Sequence, residues 1–221
     1  MKRRIFLDTE TTGMNPAAGD RVLEVAAVEV AGRHPTGKKL HWTIDPERDV
    51  PEEVSRIHGH TNASLRGSPV FARIGQELHD FLQGAEFFAH NAPFDVGFID
   101  MEFARMGLPP VRETCTEIVD TLALARKKHP GQKNSLDALC DRYEIDRSGR
   151  SFHGALLDTN LLIEVWRAMT RKQDALFSEA DRIATTLARQ PRPAGSRKLI
   201  VKKATEAENA AHEKIMAEIR Q

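Results

Sequence analysis

Three strand-forming stretches precede any helical periodicity in this chain, and that order constrains the fold more than any other feature. Arg4-Ile-Phe-Leu-Asp8 is short and apolar, Leu23-Glu-Val-Ala-Ala-Val-Glu-Val30 is β-branched and half-alternating, and Leu40–Ile44 follows. Such runs bury one or both faces of a sheet and leave helices to cover it. A fourth, shorter run, Glu86–Ala89, sits between helical stretches. Strands first, then strands mixed with helices, predict an α/β (or α+β) domain: a central mixed sheet of roughly five strands, flanked by helices.

The helical stretches have their own punctuation. A short helix is expected after Pro51. Ser68 is placed to cap a second helix with Pro69 at its first position, because Phe71, Ile74, Leu78, Phe81 and Leu82 fall on one helical face before Gly84. Phe94–Met106 reads as a helix ended by Gly107 and Pro109. Ile118–Lys128 and Ser135–Tyr143 read as two more, separated by the Pro130-Gly131 turn, with Asn134 or Ser135 as a cap. The last helix of the body runs from near Gly154 to about Lys172. From Ala188 the character changes, and Gln190-Pro-Arg-Pro-Ala-Gly-Ser-Arg197 has two prolines and no periodicity, as a linker does. Beyond it lie Leu199-Ile-Val201 and a helical stretch, Ala207–Ile219, too small to fold alone. The expected organisation is a domain over 1–172, a short segment over 173–189, a linker over 190–198 and a docking tail over 199–221.

With 221 residues the chain holds one good-sized domain and a tail. Cys115 and Cys140 form no C-x-x-C pair, which argues against a disulfide framework or a zinc site and suits a reducing cytoplasm. No apolar run approaches the roughly eighteen residues of a membrane helix, so neither a span nor a signal peptide is expected. The formal net charge of zero conceals an asymmetry: residues 1–181 hold 23 basic and 28 acidic side chains, whereas 182–203 hold seven basic and no acidic ones. An acidic body gains little from phosphate neutralisation, so a partner that is a nucleic acid must be held by cations or by other proteins. The basic segment is either an aid to that binding or a solvated linker.

Three groups of residues carry candidate chemistry. Asp8 and Glu10 stand two apart at the end of a strand, and period two places both carboxylates on one face. Like charges held that close call for a cation, and hard oxygen donors suit Mg²⁺ or Mn²⁺ rather than zinc; alone, the pair also serves as turn former and cap. Asp95, in His90-Asn-Ala-Pro-Phe-Asp95, opens a helix, where the dipole by itself favours an acid. In His153-Gly-Ala-Leu-Leu-Asp158 a spacing of five separates two side chains by about 140° on an ideal helix. They converge only if His153 stands on the loop before the helix. The weak sequence Arg147-Ser-Gly-Arg-Ser151 allows a mobile loop there, and a histidine on it is suited to taking a proton from water.

Taken together and in this order, Asp8-x-Glu10, Asn91-Ala-Pro-Phe-Asp95 and His153-x-x-x-x-Asp158 resemble the three motifs of the histidine-type DEDD-superfamily 3′→5′ exonucleases, over roughly residues 3–172. Arg4-Ile-Phe-Leu-Asp-Thr-Glu-Thr-Thr-Gly-Met-Asn15, Asn134-Ser-Leu-Asp-Ala-Leu-Cys140 and Arg142-Tyr-Glu-Ile-Asp146 narrow the resemblance to the epsilon proofreading subunits of bacterial DNA polymerase III. The resemblance implies a ribonuclease H-like exonuclease fold. It makes Asp8, Glu10 and Asp158 metal ligands with Asp95 completing the site, and His153 the general base. Two ions about 4 Å apart would clamp the scissile phosphate. It also implies that Glu53 and His58, with Asp8, Glu10 and Asp158, contact substrate, the 3′ end of DNA.

Past the domain, Gln173-Asp-Ala-Leu-Phe177 matches the Gln-x-x-Leu-Phe pattern with which bacterial proteins bind the sliding clamp; otherwise Leu176 and Phe177 belong to an amphipathic helix. In the same family the C-terminal segment binds the polymerase alpha subunit, and a tethered peptide supplies effective concentration without a strong grip on DNA. The expected setting is a cytoplasmic bacterial replisome. The rival readings are a histidine-type oligoribonuclease or RNA-trimming enzyme, which lacks such a tail, and a non-catalytic polymerase adaptor, which need not keep four acids and a histidine.

Overall fold

The structure, a computed structural model, describes residues 2–147, 152–171 and 204–219. The chain divides into two compact units, Met1–Leu176 and Phe177–Gln221. In the first unit a five-stranded mixed sheet has the order β3-β2-β1-β4-β5. Its strands are β1 (Arg3–Thr11), β2 (Val22–Ala31), β3 (His34–Thr43), β4 (Glu86–Ala89) and β5 (Glu117–Asp120). The first three form an antiparallel meander, and β4 and β5 add in parallel on the far side of β1. Gly32, at φ +63°, opens the two-residue β2–β3 loop, a position where a side chain would be strained. The outer strand β3 is mostly exposed and carries Pro35, Lys38 and Lys39, which discourage pairing with a further strand.

The helices are α1 (Glu52–His58), α2 (Phe71–Leu82), α3 (Ala92–Met106), α4 (Val111–Thr114), α5 (Thr121–Lys128), α6 (Leu136–Arg142) and α7, described over residues 155–171. Alternation along β1 sorts them into two layers. Ile5 and Leu7 share a core with Phe71, Ile74 and Leu78 of α2 and Phe98, Ile99 and Phe103 of α3. Phe6, one residue out of phase, packs instead with Phe88 and with Leu162, Ile163 and Trp166 of α7. Phe6 stacks on Phe88 at 4.7 Å between centroids, and Trp166 meets Phe88 edge-on at 5.7 Å. Helices α5 and α6 add Ala125, Leu139 and Cys140 against Leu161, Val165 and Met169 of α7. The buried guanidinium of Arg21 grips Glu102 of α3 through two hydrogen bonds, at 2.6 and 3.0 Å, and ties α3 to the start of β2.

Two local expectations need correction. Ser68 does not cap α2: the N-cap is Val70, without a side-chain hydrogen bond, because the backbone up to Pro69 is held by the Asp45 amide donating to the Pro69 carbonyl. Ile118–Lys128 is not one helix. Its first residues lie in β5, and Asp120 ends the strand and caps α5 by accepting from the Leu122 amide. Ile118 and Val119 have the β-branched character that favours a strand, and the exposed edge of β4 supplied the partner. Of the two candidate caps, Asn134 and Ser135, it is Ser135 that caps α6, accepting from the Ala138 amide. Within the second unit, residues Glu206–Ile219 form a helix, α8. Thr205 begins it with a capping box: its hydroxyl accepts from the Glu208 amide, and the Glu208 carboxylate accepts from the Thr205 amide at 2.8 Å. The clamp-like residues Gln173, Leu176 and Phe177, the linker over 190–198 and the run Leu199–Val201 lie outside the described residues. No helix among the described residues is long and apolar enough to cross a membrane.

Candidate active site

The alternation that divides the core also sets the site. Asp8 and Glu10 continue the row of Phe6, which faces α7, whereas Thr9 continues the row of Ile5 and Leu7, which faces α3. From that side the Thr9 hydroxyl donates to Asp95 Oδ1 at 2.8 Å, across a buried contact between β1 and the first turn of α3. That turn is aimed by Asn91, which takes a left-handed conformation at φ +76° as the N-cap of α3. Asparagine tolerates this region better than most residues, and the Asn91 amide is held by Asp120 Oδ1 at 3.1 Å. One acid therefore ends β5, caps α5 and steadies the turn that delivers another acid.

On the opposite side α7 delivers Asp158, which is 3% exposed. His153 stands on the loop before α7, as its convergence with Asp158 requires, and its Nδ1 lies 3.4 Å from Asp158 Oδ2. Ligand atoms of Glu10, His153 and Asp158 all lie within 4.8 Å of one another. The His153 amide donates to the Ile57 carbonyl at 3.0 Å, so the loop is tied to the end of α1. Phe152 also packs over Gly59, where a Cβ would approach the ring to 3.2 Å.

Crowded charge and burial show in the acids. Burial first, then the charges of Asp95, Glu10, Asp158 and Glu24, hold the Asp8 carboxyl well above the usual carboxylate range. Burial pushes Asp95 up to about 7, against the hydrogen bond from Thr9. The donor set fits hard divalent cations: carboxylates converge from two elements, and the surrounding negative charge is what a cation would neutralise.

The two expected substrate contacts fall in different environments. His58, at the end of α1, is 5% exposed; burial, His60 and His153 bring its pKa down to about 4. Among the charges that lower it is that of His153, while the Glu24 carboxylate opposes the shift. Glu53 is exposed on the first turn of α1, outside the Glu10–His153–Asp158 group.

Sequence reasoning missed Glu24, His41 and His60. Glu24 pairs with Glu10 across β1 and β2 and is buried. His41 Nε2 lies 2.7 Å and His60 Nε2 2.8 Å from its two carboxylate oxygens. Burial alone would raise the Glu24 pKa, yet hydrogen bonds from His60, His41 and the Ala155 amide hold it below its usual value. An acid inside the otherwise apolar run Leu23–Ala27 was the available signal, since a buried carboxylate in a strand needs partners.

Comparison with known proteins fits this geometry. The family model described as Exonuclease matches residues 5–166. The DNA polymerase III subunit epsilon of Pasteurella multocida is 46% identical over 181 residues, covering 80% of this chain and 72% of its own length. That of Escherichia coli K12 is 44% identical over 223 residues, covering 96% of this chain and 90% of its own. Among solved structures, a zinc-bound E. coli ExoI–ssDNA complex aligns with a TM-score of 0.70 at 19% identity, over 81% of this chain and 42% of that one. The nuclease domain of 3′hExo, a DEDDh family member bound to rAMP, aligns at 0.64 and 14%, over 78% of this chain and 92% of that one. These likenesses support the fold, and the sequence matches place it more narrowly: the chain belongs to the exonuclease family and, within it, to the epsilon subunits of bacterial DNA polymerase III.

Proposed function

We propose that this 3′→5′ exonuclease removes mismatched nucleotides from the 3′ end of DNA as 5′-monophosphates, with Asp8, Glu10, Asp95 and Asp158 as metal-holding acids and His153 as general base. The reading rests on one observation above others: Glu10 of β1, Asp158 of α7 and the loop-borne His153 bring their ligand atoms within 4.8 Å, beside the charge-crowded Asp8. Two Mg²⁺ or Mn²⁺ ions, when bound by the carboxylates, supply Lewis-acid stabilisation of the attacking and leaving oxygens. The chain's own residues do the rest. His153 accepts a proton from water through an imidazole nitrogen while the water oxygen forms its bond to phosphorus. The phosphorus–O3′ bond breaks, and the electron pair leaves with the 3′ oxygen of the shortened strand. Asp158, 3.4 Å from His153 Nδ1, orients the ring toward that water. Glu53 and His58 contact the terminal nucleotide.

The same proposal assigns the attachments. The acidic body binds DNA weakly by itself, so the tail over 199–221 docks on the polymerase alpha subunit and residues 173–177 on the sliding clamp, within a cytoplasmic replisome. The helix Glu206–Ile219, with its own cap, is an element of the kind that such docking uses. The test is degradation of a 3′-mismatched DNA primer against single-stranded RNA of equal length, with and without Mg²⁺. Mg²⁺-dependent preference for the primer is expected. Equal or faster loss of RNA would favour an RNA-trimming enzyme, and no hydrolysis of either would favour an adaptor.

A further inference from the structure

We propose that Glu24 and His60 are positioning residues that lock His58 into a single tautomer, with its proton on Nε2, so that it meets the terminal nucleotide as a hydrogen-bond donor. This rests on the reading in which His58 contacts substrate. The His60 backbone amide lies 3.0 Å from His58 Nδ1. An amide N–H only donates, so Nδ1 must present its lone pair, and the neutral ring must carry its proton on Nε2. A proton on Nδ1, in the other tautomer or in the cation, would set two N–H groups against each other. His58 Nε2 is buried, and among the described residues nothing accepts from it. A buried donor without an acceptor is costly unless a ligand supplies one. An oxygen of the terminal nucleotide is the acceptor that this site brings.

Whether the amide points at Nδ1 depends on how the Gly59–His60 turn is held. Gly59 turns the chain at φ +77°, a conformation that glycine adopts freely and that does not fix the next residue. The His60 side chain supplies the anchor, with Nε2 2.8 Å from Glu24 Oε2. Glu24 is itself fixed: it projects from β2 opposite Glu10, is bonded to His41 on its other oxygen, and receives the Ala155 amide at the start of α7. One carboxylate thus joins the His58–His60 turn and the segment just after His153 to the sheet. The two rings of His58 and His60 lie 5.3 Å apart, so the anchor and the donor it orients are neighbours.

Imidazole ¹⁵N NMR of the full chain tests the tautomer directly, and steady-state hydrolysis of a single-stranded oligodeoxynucleotide in saturating Mg²⁺ tests its consequence. In the parent protein His58 should be the Nε2–H tautomer; an Nδ1–H form would overturn the proposal without any variant. H58A should raise KM by about 3–10-fold, the worth of one hydrogen bond, with a smaller change in kcat. H60A should also raise KM and give a tautomer mixture at His58, whereas H60Q, whose amide still donates to Glu24, should restore both. In an H58A background H60A should add nothing, since it acts through His58. If H58A leaves KM unchanged, the substrate contact itself is wrong, and the positioning role falls with it. If H58A raises KM but H60A adds its full effect on top, the contact stands and the Glu24–His60 relay is overturned.

Discussion

Asp95→Asn isolates what the fold gives up to hold a carboxylate in a buried, charge-crowded place. In the folded chain burial raises the Asp95 pKa to about 7, while an unfolded aspartate titrates near 3.9. The folded state therefore keeps a proton that the unfolded state releases. The penalty is absent below the unfolded value, grows as pH rises between the two, and is complete above about 7. At 1.36 kcal/mol per pH unit, the gap amounts to about 4 kcal/mol at pH 8. Asparagine removes the charge but keeps an oxygen for the Thr9 hydroxyl, 2.8 Å away in the parent. The raised value already includes the opposing bond from Thr9, so the gain in metal-free protein stays at about 4 kcal/mol. For a unit of this size that is about 8–16 °C in melting temperature. Thermal unfolding in EDTA should show the variant well above the parent at pH 8, with less than half of that advantage at pH 5. Adding Mg²⁺ should raise the parent's melting temperature and close the gap, because a cation then offsets the crowding. A variant no more stable than the parent in EDTA at pH 8, or an advantage equal at both pH values, would refute this electrostatic reasoning.

Two further outcomes follow from the site and its attachments. His153→Ala should lower kcat by roughly 10²–10⁴, the usual worth of a positioned base, with Mg²⁺ affinity by calorimetry little altered; activity within threefold of the parent would remove it from that role. The triple variant Gln173→Ala, Leu176→Ala, Phe177→Ala should lose binding to a sliding clamp in surface plasmon resonance while hydrolysing short single strands at the parent rate. Unfolding of that variant would instead mark Leu176 and Phe177 as core residues.

What the amino-acid order determined by itself is local and periodic. The apolar run Arg4–Asp8 and the half-alternation of Leu23–Val30 announced strands, the spacing of Phe71, Ile74 and Leu78 announced α2, and Asn134-Ser135 announced a cap for α6, because each depends on neighbours in the chain. The acids two apart on β1 were likewise visible as a pair, since period two is a property of the strand alone. The tertiary structure decided everything that depends on a partner far along the chain. Ile118 and Val119 became β5 because the edge of β4 was free to pair with them, and no propensity over eleven residues contains that edge. His153 reached Asp158 because the Ile57 carbonyl, almost a hundred residues earlier, holds the loop. Glu24 looked like one more acid in a strand until folding brought His41 and His60 to its two oxygens. Hydrogen bonds and charges act over a few ångströms of space, whereas a sequence records only distance along the chain, and only the folded chain converts one into the other.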